Sequence, residues 1–97
     1  MLFDWDPRKD ELNQKKHGLA FEDAKELFES GNPILEIYDA AHSDDEDRFI
    51  GIGAIRVGVV VVVYTERVEE GIRIISARRA TKKETMLFRQ HVGGTDE

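Results

Sequence analysis

The chain has 97 residues, no cysteine and 40% hydrophobic residues, which allows one small domain and excludes a disulfide framework, a thiolate site and a disordered chain. Its net charge of −6 argues against a nucleic-acid binder, yet the charge is split: residues 1–47 hold five Lys/Arg against fourteen Asp/Glu, a net −9, and residues 48–92 hold nine against four, a net +5. Such polarity offers a basic face to an anionic ligand, or is only uneven solvated charge. No apolar run is long enough to span a membrane. The acidic residues and Pro7 of MLFDWDPRKD do not fit a secretory leader, so the expected location is cytoplasmic.

In chain order, Leu2 to Trp5 reads as a short strand with Phe3 and Trp5 on one face. Asp6-Pro7 reads as the N-cap and first residue of a polar helix that ends near His17, with Gly18 as its stop. Lys15, Lys16 and His17 fall in its last turn, where the helix dipole favours cations. A second helix, about Phe21 to Glu29, gathers Phe21, Ala24, Leu27 and Phe28 on one apolar face. Ala20 stands where a Ser or Thr cap is expected, and Gly31 and Pro33 end the helix. Four β segments follow: Ile34 to Tyr38, Arg48 to Ile55, Gly58 to Arg67 and Ile72 to Arg79. The unbroken VVVVVY of the third suits a central strand covered on both faces. The short connections RVG and VEEG imply hairpins. HSDDED lacks the glycine-spaced pattern of a calcium loop and reads as solvated. Thr81 caps a last helix, with Glu84 three residues on as the return half of a capping box. The prediction is a single α+β domain over residues 1–97: N-terminal helices, a four-stranded mainly antiparallel sheet and a C-terminal helix, with residues 92–97 as a flexible tail.

Register in the last hairpin decides how its arginines are grouped. A two- or four-residue loop around Glu69-Glu70 sets Arg67 opposite Ile72, Thr65 opposite Ile74, Val63 opposite Ser76 and Val61 opposite Arg78. Arg67, Thr65, Ser76 and Arg78 then share one sheet face, and Glu66 pairs with Arg73 on the other. A three-residue loop with Gly71 in a bulge shifts that pairing and separates the set. Two guanidinium forks beside two hydroxyls suit a phosphate, whereas Arg73 and Arg79 read as surface or paired arginines.

WDPRKDELNQKKHGLAFEDAKELF resembles the opening of the BrnT-type toxins, through Trp5-Asp6, Asn13, Lys16-His17-Gly18, Phe21 and Ala24. DEDRFIGIG, VVVYTER and IRIISARRATKKE match later blocks of that family, through Arg48, Gly51 or Gly53, Thr65, Arg67, Arg73, Ile75-Ser76-Ala77-Arg78, Ala80 and Glu84. The resemblance covers roughly residues 3 to 88, and it rests on the order and spacing of short blocks. It implies a RelE/ParE-like fold and a ribonuclease of a type II toxin–antitoxin module. It also implies a BrnA-like ribbon-helix-helix antitoxin as partner, through which the complex reaches DNA. Ala20 and the acidic total depart from what the family leads one to expect.

The chemistry so implied is RNA cleavage by the substrate's own 2′-hydroxyl, which calls for no metal or cofactor. The protein must take a proton from that hydroxyl, return one to the leaving oxygen and offset charge on the phosphorane. Arg67 and Arg78 are the candidates for charge stabilisation, His17 for acid–base work and Lys16 for phosphate contact or acid catalysis, with Arg48, Thr65 and Ser76 holding RNA. Blander roles stand beside these: a helix-end contact for His17, a solvated lysine for Lys16, and capping alone for Glu84. Glu22 reads as a helix-start carboxylate. The competing function is a catalytically degenerate toxin homologue that serves as antitoxin partner and co-repressor. A plain DNA-binding module fits worse, since no helix offers a basic recognition face.

Overall fold

The computed structural model describes residues 2–93. The first helix forms from strictly local signals. Asp6 in extended backbone accepts a hydrogen bond from Arg8 N at 2.9 Å, Pro7 opens α1 (Pro7–His17), and Gly18 closes it by returning its N–H to Gln14 O. Leu12 is left 64% exposed, so α1 holds to the body by other means. The next helix starts without a side-chain cap from Ala20, and Asp10 of α1 supplies the missing acceptor, taking the Phe21 N–H at 2.9 Å. The expected single helix is two short turns, α2 (Phe21–Ala24) and α3 (Glu26–Glu29), joined at Lys25.

The sheet has five strands rather than the four expected, and it is mixed. β1 (Phe3–Asp4), β2 (Leu35–Tyr38), β3 (Phe49–Ile55), β4 (Gly58–Arg67) and β5 (Gly71–Arg79) lie in the order β1-β5-β4-β3-β2. β1 pairs with β5 in parallel, and the other pairings are antiparallel. A parallel edge between residues 69 positions apart carries no local signal, which is why Leu2 to Trp5 reads as a strand but not as a member of this sheet. A short 3-10 turn, Ala40–His42, and the acidic loop lead into β3. α4 (Lys82–Gly93) closes the described chain; it takes in Val92 and Gly93 of the expected tail, and residues 94–97 lie outside the described residues.

Alternation along the strands divides the core. One face carries Ile55, Val60, Val62, Tyr64, Ile72, Ile74 and Ala77 beneath Leu19, Phe21, Ala24 and Leu27. Gly53 eases that contact: a Cβ there would stand 2.4 Å from a Leu27 methyl, so a larger residue would push that buried side chain aside. The other face carries Ile52 and Val61, covered chiefly by Phe88 of α4. Full burial of a large apolar side chain is worth roughly 1.5–3 kcal/mol, so most of the stability sits on the first face.

The β4–β5 hairpin departs from its predicted register at the turn end. Its turn is Val68–Glu70, three residues, followed by Gly71 at φ +88, and Arg67 pairs with Gly71, Thr65 with Arg73. A side chain at 71 would be strained at that φ and would meet Leu2 O at 2.2 Å. Beyond the turn, Tyr64 pairs with Ile74 but Val63 with Ser76, so Ile75 is one residue extra on β5. The bulge restores the pairs Val63–Ser76 and Val61–Arg78 that the sequence predicts. Arg73 therefore meets Asp4 of β1, with which it forms an ion pair, rather than Glu66.

Candidate functional site

The free edge of β5 beyond β1 exposes Ala77's backbone N–H and C=O. Asn13 of α1 closes it. Its Oδ1 accepts from Ala77 N at 3.1 Å, and its Nδ2 donates to Ala77 O at 2.7 Å and to Leu19 O at 2.8 Å. The buried amide thus continues the sheet ladder by one rung and pins both α1 and the loop after Gly18. Asn13, Lys16 and His17 share a helix face through i, i+3 and i+4 spacing. Clamping Asn13 on β5 consequently sets Lys16 and His17 beside the bulge. A shallow recess of about 190 Å³ results, lined by Lys9, Leu12, Asn13, Lys16, His17, Ile75 and Ser76.

The bulge aims Ser76 into this arrangement. Ile74 and Ala77 point to the helix-covered face, which leaves the two residues between them on the opposite side. Strand alternation puts Ser76 and Arg78 there on β5, and Val61, Val63, Thr65 and Arg67 on β4. The four predicted co-facial residues do share a face.

They are not all within reach of one phosphate. Arg78 lies opposite Val61, six residues along β4 from Arg67, a separation of roughly 20 Å at strand rise. Arg78 is next but one to Ser76 on β5 and does not line the Lys16–His17 recess. Arg67 stands at the turn end, where Glu46 and Glu70 contact it at 3.2–3.4 Å. Those bonds are long and exposed, and such pairs yield readily. Arg48 is half-buried at the start of β3; its N–H donates to Ser43 Oγ at 2.9 Å, and its side chain lines a recess with His42, Asp44, Asp45 and Glu46. Thr65 is 1% exposed, and its Oγ1 has no hydrogen-bond partner among the described residues. The structure thus brings Lys16, His17 and Ser76 together in one recess, with Arg78 further along β5 and outside its lining, and sets Arg48, Thr65 and Arg67 at the other end of the face.

Arg78 is itself held. Its Nη1 and Nη2 donate to the two Glu84 oxygens at 2.7 Å each. Glu84 also accepts from Thr81 N at 2.9 Å, while Thr81 Oγ1 accepts from Glu84 N at 3.1 Å, which is the predicted capping box. The Arg78 guanidinium, then the Thr81 bonds, hold the Glu84 carboxyl down at about 2 against the opposing effect of its partial burial. Glu84 is therefore both a cap and the counter-ion of Arg78, a second role its sequence position does not disclose. Asp10 is likewise missed by motif reading, and Asn13 enters it only as a family position without a role. A polar helix with one large apolar residue signals that a buried polar side chain holds it, but not which one.

The fold is a small α+β domain in which Lys16, His17 and Ser76 line one recess, with Arg78 two residues further along β5. The family model described as "Ribonuclease toxin, BrnT, of type II toxin-antitoxin system" matches residues 5–84, and the chain belongs to that family. The crystal structure of the Brucella abortus ribonuclease toxin, BrnT, is similar at a TM-score of 0.66 and 28% identity, over 84% of this chain and 100% of that one. No curated protein matches the chain. Every predicted site residue falls within the matched span.

Proposed function

We propose that this chain is a metal-independent endoribonuclease toxin that cuts RNA through attack by the substrate's 2′-hydroxyl. The observation that carries the reading is the placement of Lys16 and His17 against Ser76, on the side of the sheet that bears Arg78. His17 takes the 2′-hydroxyl proton as that oxygen bonds to the adjacent phosphorus. Lys16 protonates the departing 5′-oxygen as the P–O5′ bond breaks, leaving a 2′,3′-cyclic phosphate. Arg78, already oriented by Glu84, offsets the charge of the phosphorane. Ser76 holds a non-bridging oxygen.

Distance along β4 assigns Arg67 a different task from Arg78. It holds the RNA backbone on neighbouring nucleotides, together with Arg48, rather than the reacting phosphate; Thr65, expected to hold RNA, is 1% exposed and out of its reach. The acidic contacts of Arg67 are weak enough for a phosphate to displace them. The fold reading extends to a RelE/ParE-like toxin, whose partner is a BrnA-like ribbon-helix-helix antitoxin that neutralises it and carries the complex to DNA. The protein acts in the cytoplasm as a single domain.

One observation favours the degenerate-homologue alternative: Arg67, Arg73 and Arg78 each face a carboxylate. Inducible expression in a bacterium separates the two. Growth arrest and RNA cleavage by the wild type, both lost in Lys16→Ala/His17→Ala, support the nuclease. A folded wild type that leaves growth and RNA untouched would point to the antitoxin-partner role instead. A substrate with 2′-deoxyribose at the cut site should resist cleavage; equal cutting would exclude attack by the 2′-hydroxyl.

A further inference from the structure

The helix-covered face is not closed along its whole length. Past α3, toward the β4–β5 turn, a cavity of about 310 Å³ opens between Phe28, Ile34, Glu36, Tyr64, Glu66 and Ile72. Its walls are aromatic and aliphatic, with the Phe28 and Tyr64 rings edge to face at 4.8 Å. Its polar groups are two exposed carboxylates, Glu36 on the edge strand β2 and Glu66 on β4. Glu36 accepts the Tyr64 hydroxyl hydrogen bond, and burial, then Glu36, then Glu66 push that hydroxyl's pKa up. The aromatic run continues to Phe49 and to Phe3, and it already carries one cation, with Lys25 Nζ 5.6 Å from the Phe3 ring centroid.

An apolar-walled cavity with two carboxylates and aromatic faces suits an aliphatic stem that ends in a cation. It repels phosphate. It also lies on the opposite sheet face from Ser76, Arg78 and Arg67, so it can be filled without touching the RNA-directed side. We propose that this cavity is a docking pocket for an arginine or lysine side chain of the protein antitoxin. This rests on reading the chain as a type II toxin with a protein partner. The pocket would anchor a basic segment lying beside the sheet edge at β2, where Ile37 and Tyr38 are also exposed.

The test uses the full chain and a capped Arg-Leu-Arg-Leu-Arg peptide, followed by amide NMR shifts. Shifts should centre on Glu36, Tyr64 and Glu66. Glu36→Gln/Glu66→Gln should weaken binding about ten-fold, since it removes two charge contacts but leaves an oxygen for Tyr64. RNA cleavage and thermal unfolding should match the wild type. The same peptide with Glu for Arg should not bind. No response at the pocket would overturn the proposal, as would shifts there caused by an RNA oligonucleotide or by raising the protein concentration alone, which would mark a second copy as the occupant. The titration does not depend on catalysis. An inactive chain with an intact peptide response would therefore sink the nuclease reading alone, and cleavage without a peptide response would sink the pocket alone.

Discussion

The two faces of the sheet differ in how far helices cover them. Leu19, Phe21, Ala24 and Leu27 seal most of one face against seven strand residues. The other face has Phe88 over Ile52 and Val61, and it leaves much of β4 and β5 without a helix above it. The lesson is one of allocation. The sealed face supplies stability, and the half-covered face can then carry arginines and hydroxyls without paying a burial penalty for each charge. Among the described residues, Thr65 breaks this division, as a buried hydroxyl without a partner on the half-covered face.

Substitutions can break that contrast, beginning with the largest effect. Phe21→Ala, on the sealed face, should cost about 4 kcal/mol, whereas Phe88→Ala should cost about 3 kcal/mol because its site is partly open; urea unfolding measures both. Equal or reversed costs would dissolve the contrast. Asn13→Ala should cost about 2–3 kcal/mol by leaving the Ala77 and Leu19 backbone groups unpaired. In the folded fraction of the variant it should also lower cleavage by loosening Lys16 and His17. A melting temperature equal to the wild type would contradict the clamp.

The Arg78–Glu84 joint yields a pH signature. The Glu84 carboxyl is depressed from 4.5 to about 2 in the folded protein, so its contribution is present above pH 4.5 and is lost as pH falls from 4.5 toward 2. Thermal melts of the wild type should exceed those of Glu84→Gln at pH 6 and converge with them in that acidic window. A constant difference down to pH 2 would show that the pair is not formed. The smallest effect belongs to Thr65→Val, which removes an unpaired buried hydroxyl at nearly constant shape. It should be neutral or stabilising by up to about 1 kcal/mol in urea unfolding; a clear loss of stability would show that the hydroxyl has a partner.

Legibility in the sequence follows the range of the forces involved. α1 is readable because Asp6, Pro7 and Gly18 fix it within a few residues, and so is the Thr81–Glu84 box. The hairpin register is readable only away from the turn, since β1 packed against Gly71 and the extra residue Ile75 are set by contacts from far along the chain. The parallel edge β1–β5 and the Asp10 cap on α2 have the same long-range origin. At the site, residue types are legible but their partners are not. Arg67 and Arg78 look equivalent in the sequence, yet strand geometry sets them roughly 20 Å apart.

The most direct test of the account is single-turnover cleavage of an RNA oligonucleotide by the purified protein, wild type beside Lys16→Ala/His17→Ala. The account predicts cleavage by the wild type, a loss of at least about 100-fold in the variant, and unchanged unfolding. Equal rates in the two proteins would contradict it and move the chemistry away from the α1–β5 recess.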